Sequence, residues 1–136
     1  MAESKPTERV ELTQSVLVVG CKHYTWDQDA FDLDEDLTHN IRFVADPNNP
    51  HQPDGKAVKV NYRGKQCGNV AAVDLDDMEW FMRATRIVQP FVKDFDARVE
   101  TSRVTCDSEG FKTFMLELKV CAWVPVEVCK ELDALA

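Results

Sequence analysis

A loop bounded by two prolines constrains this chain more than any other stretch of its sequence. Residues 46–51 read DPNNPH. Pro47 and Pro50 fix their own φ angles and lack a backbone N–H, so the segment cannot form the interior of a strand or a helix. Asn48 and Asn49 carry short amides that hydrogen-bond nearby backbone or stay available to a ligand. The segment therefore predicts a rigid loop, which is either a plain surface turn or the frame of a binding site.

Alternation of apolar and polar residues surrounds this loop and predicts strands. After a turn at Asp54 and Gly55, Val58 and Val60 alternate with lysines, as in a half-buried strand. Gly68, inside a later strand, predicts a bulge or the close approach of another group to the backbone. The six predicted strands are residues 15–20, 40–45, 56–62, 66–71, 95–104 and 111–123.

Two helices are predicted, one after the fourth strand and one at the end of the chain. Asp74 is placed to cap the first helix, and apolar residues follow it at helical spacing until Pro90. Pro125 suits the first position of the last helix. Short strands, a mid-chain helix and a glycine bulge are typical of small barrels. We therefore predict a mainly β fold with two helices, in which six strands form a partly open, OB-like barrel.

The 136 residues have room for one domain with a packed core. Residues 1–14 are polar and lack periodicity, so we predict a flexible N-terminal arm and then a single barrel domain over residues 15–136. No apolar run approaches the ~20 residues of a membrane helix, and the first residues lack the apolar stretch of a signal peptide. We expect a protein that is nuclear in a eukaryote and otherwise cytoplasmic, and neither secreted nor bound to a membrane.

Residues 27–36 contain six carboxylates in ten positions. A solvated acidic loop is the interpretation we prefer, because the glycine and the final glutamate of a calcium-binding loop are missing. The five cysteines are widely spaced without a C-x-x-C pair, which favours free thiols over a zinc site shared with the histidines. We predict neither a metal nor another cofactor.

The formal net charge of −8 argues against broad, non-specific binding of phosphates. The charge is unevenly distributed along the chain, however. Residues 23–36 carry six acids and no Lys or Arg, whereas residues 37–65 carry five basic and two acidic residues. The segment with the positive balance is the one that contains the proline loop. One local patch thus remains a candidate site for nucleic acid.

Catalytic motifs are missing from the sequence. It has no G-x-S-x-G, no H-E-x-x-H, no glycine-rich phosphate loop and no recognisable Cys/His nucleophile pair. The densest group of carboxylates falls in a segment predicted to be a loop, which is a poor frame for a two-metal site. We expect a binding protein rather than an enzyme.

Four short motifs occur in order: VVGCKHY at residues 18–24, DPNNPH at 46–51, KAVKV at 56–60 and GKQCGNV at 64–70. Together they resemble the HIRAN domain, a module of proteins that remodel replication forks. The resemblance spans roughly residues 15–123. It implies a six-stranded barrel with two helices that binds the 3′ end of single-stranded DNA and recognises its free hydroxyl. A role in DNA repair or replication-fork processing follows from it.

The resemblance also implies which side chains contact DNA. The rings of His23, Tyr24 and Phe114 would stack on bases. Asn49, with a carboxylate near Asp54, would bind the sugar at the 3′ end, and lysines would meet phosphates. The full predicted set is Lys22, His23, Tyr24, Asn48, Asn49, His51, Asp54, Lys56, Lys59 and Phe114.

Two other hypotheses remain open beside DNA-end binding. In the first, the chain is a protein-interaction or adaptor domain whose acidic loop binds a basic partner. In the second, it is a divergent barrel that keeps the motifs because the fold requires them. Asn69, which stands where the HIRAN family offers His, is a departure that weighs toward these alternatives. Replacing Asn49 separates a structural role from a binding role, because the first predicts lost stability and the second lost affinity. The sequence predicts no oligomeric state.

Overall fold

An antiparallel sheet of six strands forms the body of the protein. The computed structural model describes residues 7–106, 108–109 and 112–135; residues 107, 110 and 111, in and beside the predicted last turn, lie outside that set. The strands are β1 (Thr7–Val19), β2 (Ile41–Ala45), β3 (Val58–Tyr62), β4 (Lys65–Val70), β5 (Val92–Cys106) and β6 (Lys112–Pro125). The α-helices are α1 (Gln28–Leu33), α2 (Leu75–Val88) and α3 (Val126–Ala134). Across the sheet the strand order is β2-β3-β4-β1-β6-β5.

The first strand begins much earlier than predicted. β1 pairs with β6 along nearly its whole length. The prediction of a flexible arm over residues 1–14 is therefore wrong for residues 7–14, while residues 1–6 lie outside the described part of the chain. Val10 and Leu12 continue the apolar alternation of the predicted strand toward the N-terminus, and they pack into or against the core. That alternation is the signal for the longer strand.

The strands β3 and β4 form a hairpin whose close fit to β1 depends on Gly68. The ladder register shifts between Val60 and Asn61, which is the irregularity that the mid-strand glycine predicts. A β-carbon built on Gly68 would lie 2.6 Å from Val18 Cγ1 and 2.9 Å from the Val19 carbonyl oxygen. The expectation of a bulge or a close backbone approach is confirmed on both counts.

The acidic segment, residues 27–36, packs one side against the sheet, while five of its six carboxylates are exposed, as the interpretation of a solvated segment predicts. It contains α1, whose N-cap Asp27 accepts a hydrogen bond from a backbone N–H of the first turn (3.0 Å). Phe31 of α1 is 3% exposed, and its ring centroid lies 5.1 Å from that of Tyr62 and 4.8 Å from that of Phe114. The described residues thus hold three α-helices where two were predicted.

The two edges of the sheet meet through the end of the acidic segment, and the barrel is only partly closed. The Leu37 backbone N–H donates to the Ala97 carbonyl oxygen of β5 (3.4 Å). The Thr38 hydroxyl donates to the Phe95 carbonyl oxygen (3.0 Å). Side-chain and single backbone bonds replace a regular β2–β5 ladder here. The predicted mainly β, partly open barrel is confirmed.

Helix α2 is tied to β1 by the residue that was expected to cap it. Asp74 stands at the N-cap position, but its carboxylate accepts a hydrogen bond from the Leu17 backbone N–H of β1 (2.8 Å). Leu75, Met78 and Phe81 are buried, so the apolar stripe belongs to the core, as predicted. None of the helices among the described residues has the length and apolar content to cross a bilayer.

Candidate nucleic-acid interface

The chain turns sharply where it leaves β1. Gly20 adopts a φ of +75°, in the left-handed region that favours glycine, and Cys21–His23 form one turn of 3-10 helix. Cys21 is buried, and the neighbouring Lys22 and His23 are exposed. A surface pocket of about 300 Å³ is lined by residues 22–26 and by Gln28. Lys22, His23 and Tyr24 therefore line one pocket.

Tyr24 is held in place by two amides of β4. Asn69 Nδ2 donates to the Tyr24 hydroxyl oxygen (3.0 Å), and Gln66 Nε2 donates to Asn69 Oδ1 (3.1 Å). All three side chains are half-buried. Since the tyrosine oxygen accepts the bond from Asn69, its own proton can be donated to a ligand. The arrangement fixes an aromatic ring and a hydroxyl donor at the rim of the pocket.

Lys59 lies on the same face of the sheet as Asn69. The two residues stand directly opposite each other in the β3–β4 ladder, with Val44 of β2 and Val19 of β1 continuing the row. We call these four residues the outer row. The alternate residues of β3 are buried, which leaves Lys59 half-buried on the outer face. The outer row thus brings an ammonium group beside the amide that holds Tyr24.

The two amides of β4, Gln66 and Asn69, are absent from the predicted site. Two buried residues separate Gln66 from Asn69, so strict alternation would put the two amides on opposite faces of the strand. The register shift beside Gly68 puts both on the outer face. Arg63 and Gly64, with φ of +51° and +82°, form the two-residue turn that starts the hairpin register, and the bulge then places Asn69 opposite Lys59. The sequence signals for this register are the short gap between the third and fourth predicted strands and the mid-strand Gly68.

The proline loop, residues 46–56, is closed by its own side chains. Asn49 Nδ2 donates to Asp46 Oδ2 (3.1 Å), and Asn49 Oδ1 accepts from the His51 backbone N–H (2.9 Å). Both ends of the Asn49 amide therefore shape the loop. The Asn48 and His51 side chains are exposed. Asp54 is exposed as well, whereas Asn49 is half-buried.

Lys56 is directed toward α2 and away from the outer row. Its backbone N–H donates to Asp54 Oδ1 (3.1 Å), so Asp54 closes the end of the loop. Its ammonium lies 2.9 Å from Asp76 Oδ1 and 3.7 Å from Glu79 Oε2. The hydrogen bond to Asp76, followed by the negative charges of Asp76 and Glu79, raises the pKa of Lys56. The ammonium of Lys56 thus lies beside carboxylates of α2, so we do not place it among the phosphate contacts of the outer row.

Phe114 lies in the core and not at the surface of the candidate site. Its side chain is 0% exposed, and its ring is packed against those of Trp26 and Phe31, with centroid distances of 6.4 Å and 4.8 Å. A ring enclosed in the core cannot stack on a base. The prediction of Phe114 as a stacking residue is wrong, because its strand faces the interior at this position.

The remaining predicted residues form two groups with Lys59 between them. At the base of the proline loop, the Asp46 backbone N–H donates to the Ala57 carbonyl oxygen (2.8 Å). Ala57 and Lys59 are two residues apart, which is about 7 Å along a strand. On the far side of Lys59 lies Asn69 with the Tyr24 pocket. Lys59, Asn69 and Tyr24 are therefore neighbours, and the proline loop leads into the strand that carries Lys59.

The chain is similar in structure to a known HIRAN domain. The crystal structure of the HIRAN domain of human HLTF covers 93% of this chain and 88% of its own length, with 20% sequence identity and a TM-score of 0.46. No family model matches the chain, and no curated protein matches it. The HIRAN family is also the one that the four sequence motifs of this chain resemble.

The thiols and carboxylates do not form a metal centre in the part of the chain that the structure describes. No three His, Cys, Asp or Glu side chains there are grouped to hold a metal ion. Burial raises the pKa of the Cys21 thiol to about 11 and that of Cys67 to about 12. Because a thiolate is the nucleophile and the metal ligand, thiols held in the neutral form act as packing groups. Neither the calcium nor the zinc alternative finds a site among the described residues.

Proposed function

We propose that this chain is a DNA-binding module that takes up single-stranded DNA at its 3′ end and serves in DNA repair or replication-fork processing. One observation supports the proposal above the others: a tyrosine, an amide and an ammonium group adjoin one another on the outer face. Tyr24 is hydrogen-bonded to Asn69, and Lys59 stands opposite Asn69. Rings, amides and cations are the groups that bind bases, sugars and phosphates of single strands.

The order of the groups along the face suits the 3′ end of a DNA strand. The pocket beside Tyr24 would receive the terminal nucleotide, with Lys22 at its rim. The tyrosine hydroxyl, which accepts from Asn69, would donate to the terminal sugar. Lys59 would meet the preceding phosphate, and the exposed side chains of the proline loop would contact the strand further along. A 3′-phosphate would put negative charge where the tyrosine hydroxyl would otherwise meet a neutral sugar hydroxyl.

The local charge suits a few phosphate contacts and no more. Lys59 and the proline loop lie in the segment with the positive balance, within a chain of net charge −8. If Lys22 and Lys59 each neutralise one phosphate, the logarithm of the affinity should fall with the logarithm of salt concentration with a slope of about −1.4. A binding role of this kind uses no catalytic group. It would place the protein in the nucleus of a eukaryote, or otherwise in the cytoplasm.

The test is a fluorescence-anisotropy titration at low salt with three ligands: a short single strand ending in a 3′-hydroxyl, the same strand with a 3′-phosphate, and a blunt duplex. We expect the free 3′-hydroxyl strand to bind most tightly. Equal affinity for the hydroxyl and phosphate strands would refute end recognition. Binding to none of the three would refute the DNA function.

Two variants test the site itself, each with a matched control. Lys59→Gln should make the salt slope shallower by about 0.7, whereas Lys56→Gln, which removes the same charge beside α2, should leave it unchanged. Tyr24→Ala should cost about 1–3 kcal/mol of affinity if the ring stacks on a base. Tyr24→Phe keeps the ring and loses the hydroxyl, so it should retain the stacking and lose the preference for a free 3′ end.

A further inference from the structure

A second recessed surface lies between the acidic segment and β5, away from the outer row. It is a cavity of about 460 Å³, which we call the α1–β5 groove. Its floor is apolar, its rim is acidic, and one wall is the sheet edge. The residues that define these parts are Phe31 in the floor, Asp32, Asp34 and Glu35 at the rim, and Val99 and Val104 in the wall.

The wall of the groove is an edge strand with backbone groups that point outward. β5 pairs with β6 on one side, and on the other side the Ala97 carbonyl oxygen accepts from Leu37. Peptide groups alternate in direction along an antiparallel strand, so the backbone of Val99 points the same way as that of Ala97, into the groove. The β5–β6 register then shifts between Glu100 and Thr105. An edge of this kind offers a short ladder to an incoming extended chain.

Among the described residues that line the groove, the rim carries more negative than positive charge. Asp34 is oriented by hydrogen bonds from the Tyr62 hydroxyl and from Asn40 Nδ2, both 2.9 Å. Glu35 and Asp32 are exposed. The one basic side chain among the described lining residues is Arg98, and its guanidinium is 2.9 Å from Asp96 Oδ2. These carboxylates do not converge on a metal-binding geometry, so they suit cationic groups that are spread along a ligand.

We propose that the α1–β5 groove binds an extended, basic segment of a partner protein. The segment would add to the β5 edge at Val99 through its backbone and place one large apolar side chain over Phe31. Its flanking lysines or arginines would pair with Asp34 and Glu35. The surface is separate from the outer row, so the inference does not rest on the proposed DNA function.

The test uses a fluorescein-labelled peptide of sequence Lys-Val-Lys-Phe-Lys-Val-Lys and anisotropy at low salt. We expect saturable binding by the full chain. Methylating alternate backbone nitrogens keeps the charge but removes the edge hydrogen bonds, and it should weaken binding about tenfold. Replacing the phenylalanine by serine should weaken binding to a similar degree. If the methylated peptide bound as tightly as the parent, the proposal would be overturned.

Two charge reversals on the acidic segment locate the site. Glu35→Lys changes the rim of the groove, whereas Asp29→Lys makes the same change of charge at an exposed residue of α1 that does not line it. Glu35→Lys should weaken peptide binding about fivefold or more, and Asp29→Lys should leave it nearly unchanged. Equal weakening by both would mean attraction to the overall acidic charge, which overturns a specific groove.

Competition separates this proposal from the DNA function. An unlabelled 3′-hydroxyl strand should not displace the peptide, and Glu35→Lys should not lower affinity for that strand. Displacement of the peptide by DNA would overturn the assignment of the groove to a protein partner. Failure of DNA to bind at all would leave the peptide result unaffected.

Discussion

The acidic segment and the proline loop lie within twenty residues of each other in sequence and are held by opposite means. The acidic segment has more charge, yet it is fixed by side chains that reach the core, namely Phe31 and Asp34. The proline loop is fixed by its own short side chains, chiefly Asn49. Charge density thus shows which side of a segment faces water, whereas a single aromatic residue decides whether that segment packs.

The largest expected effect comes from the anchor of the acidic segment. Phe31→Ala should lower the free energy of unfolding by about 3–5 kcal/mol, because it removes a buried ring from a packed aromatic cluster. Leu33→Ala in the same helix is the matched control, since Leu33 is 83% exposed and should change little. Urea denaturation followed by tryptophan fluorescence measures both. A small loss for Phe31→Ala would show that the segment is not held by the core.

How far the sequence predicts such features depends on the range of the interaction. Period-two alternation located strands, and Gly68 predicted a crowded backbone, because both signals are local. Phe31 sits among six carboxylates, and only its distant contacts with Tyr62 and Phe114 reveal that it is buried. The same is true of Lys56, whose partners lie on a helix that begins about twenty residues later.

The second test concerns the other anchor of the acidic segment, the hydrogen bond from Tyr62 to Asp34. Burial and the nearby Asp34 carboxylate raise the pKa of Tyr62 above its ordinary value of 10.0. The folded chain therefore keeps the phenol protonated at a pH where the unfolded chain ionises, so this contribution is present below pH 10 and is lost as the pH rises further. Tyr62→Phe should cost about 1.5–2 kcal/mol near neutral pH.

Comparing the pH dependence of unfolding in wild type and Tyr62→Phe isolates this effect. Cys21 and Cys67, whose pKa values are also raised, contribute equally to both proteins. We expect the difference between the two proteins to shrink between pH 10 and higher pH. A constant difference across that range would show that the hydrogen bond from the Tyr62 hydroxyl to Asp34 does not contribute to stability.

The third test addresses the proline loop. Asn49→Ala should lower the free energy of unfolding by about 1 kcal/mol, because two local hydrogen bonds of a part-buried amide are lost. Asn48→Ala is the control, since the neighbouring amide is exposed. Thermal denaturation measures stability, and the 3′-hydroxyl strand measures binding. Loss of DNA affinity in Asn49→Ala with unchanged stability would reverse our reading of the loop and restore Asn49 to the site.

The sequence predicted those residues of the candidate site whose position follows from a single strand. It did not predict those whose position depends on how two strands pair. Tyr24 and Lys59 lie in motifs that are adjacent to strand ends, so their exposure followed from the strands. Asn69 required the register of the β3–β4 hairpin. Phe114 was misplaced because the family resemblance assigned it to DNA. The apolar residues at positions 114, 116, 118 and 120 already mark the buried face of that strand.

The smallest expected effect belongs to Lys56, which joins the proline loop to α2. Its ammonium pairs with Asp76 and Glu79 at an exposed surface, where salt screens the attraction and ordering the side chain offsets it. Lys56→Gln should therefore leave the free energy of unfolding within the error of a urea titration, at low and at high salt. If Lys56→Gln instead destabilises the protein as much as Asn49→Ala, and only at low salt, the loop is held by the helix. The proline loop would then depend on distant residues, as the acidic segment does, and the contrast between the two regions would fail.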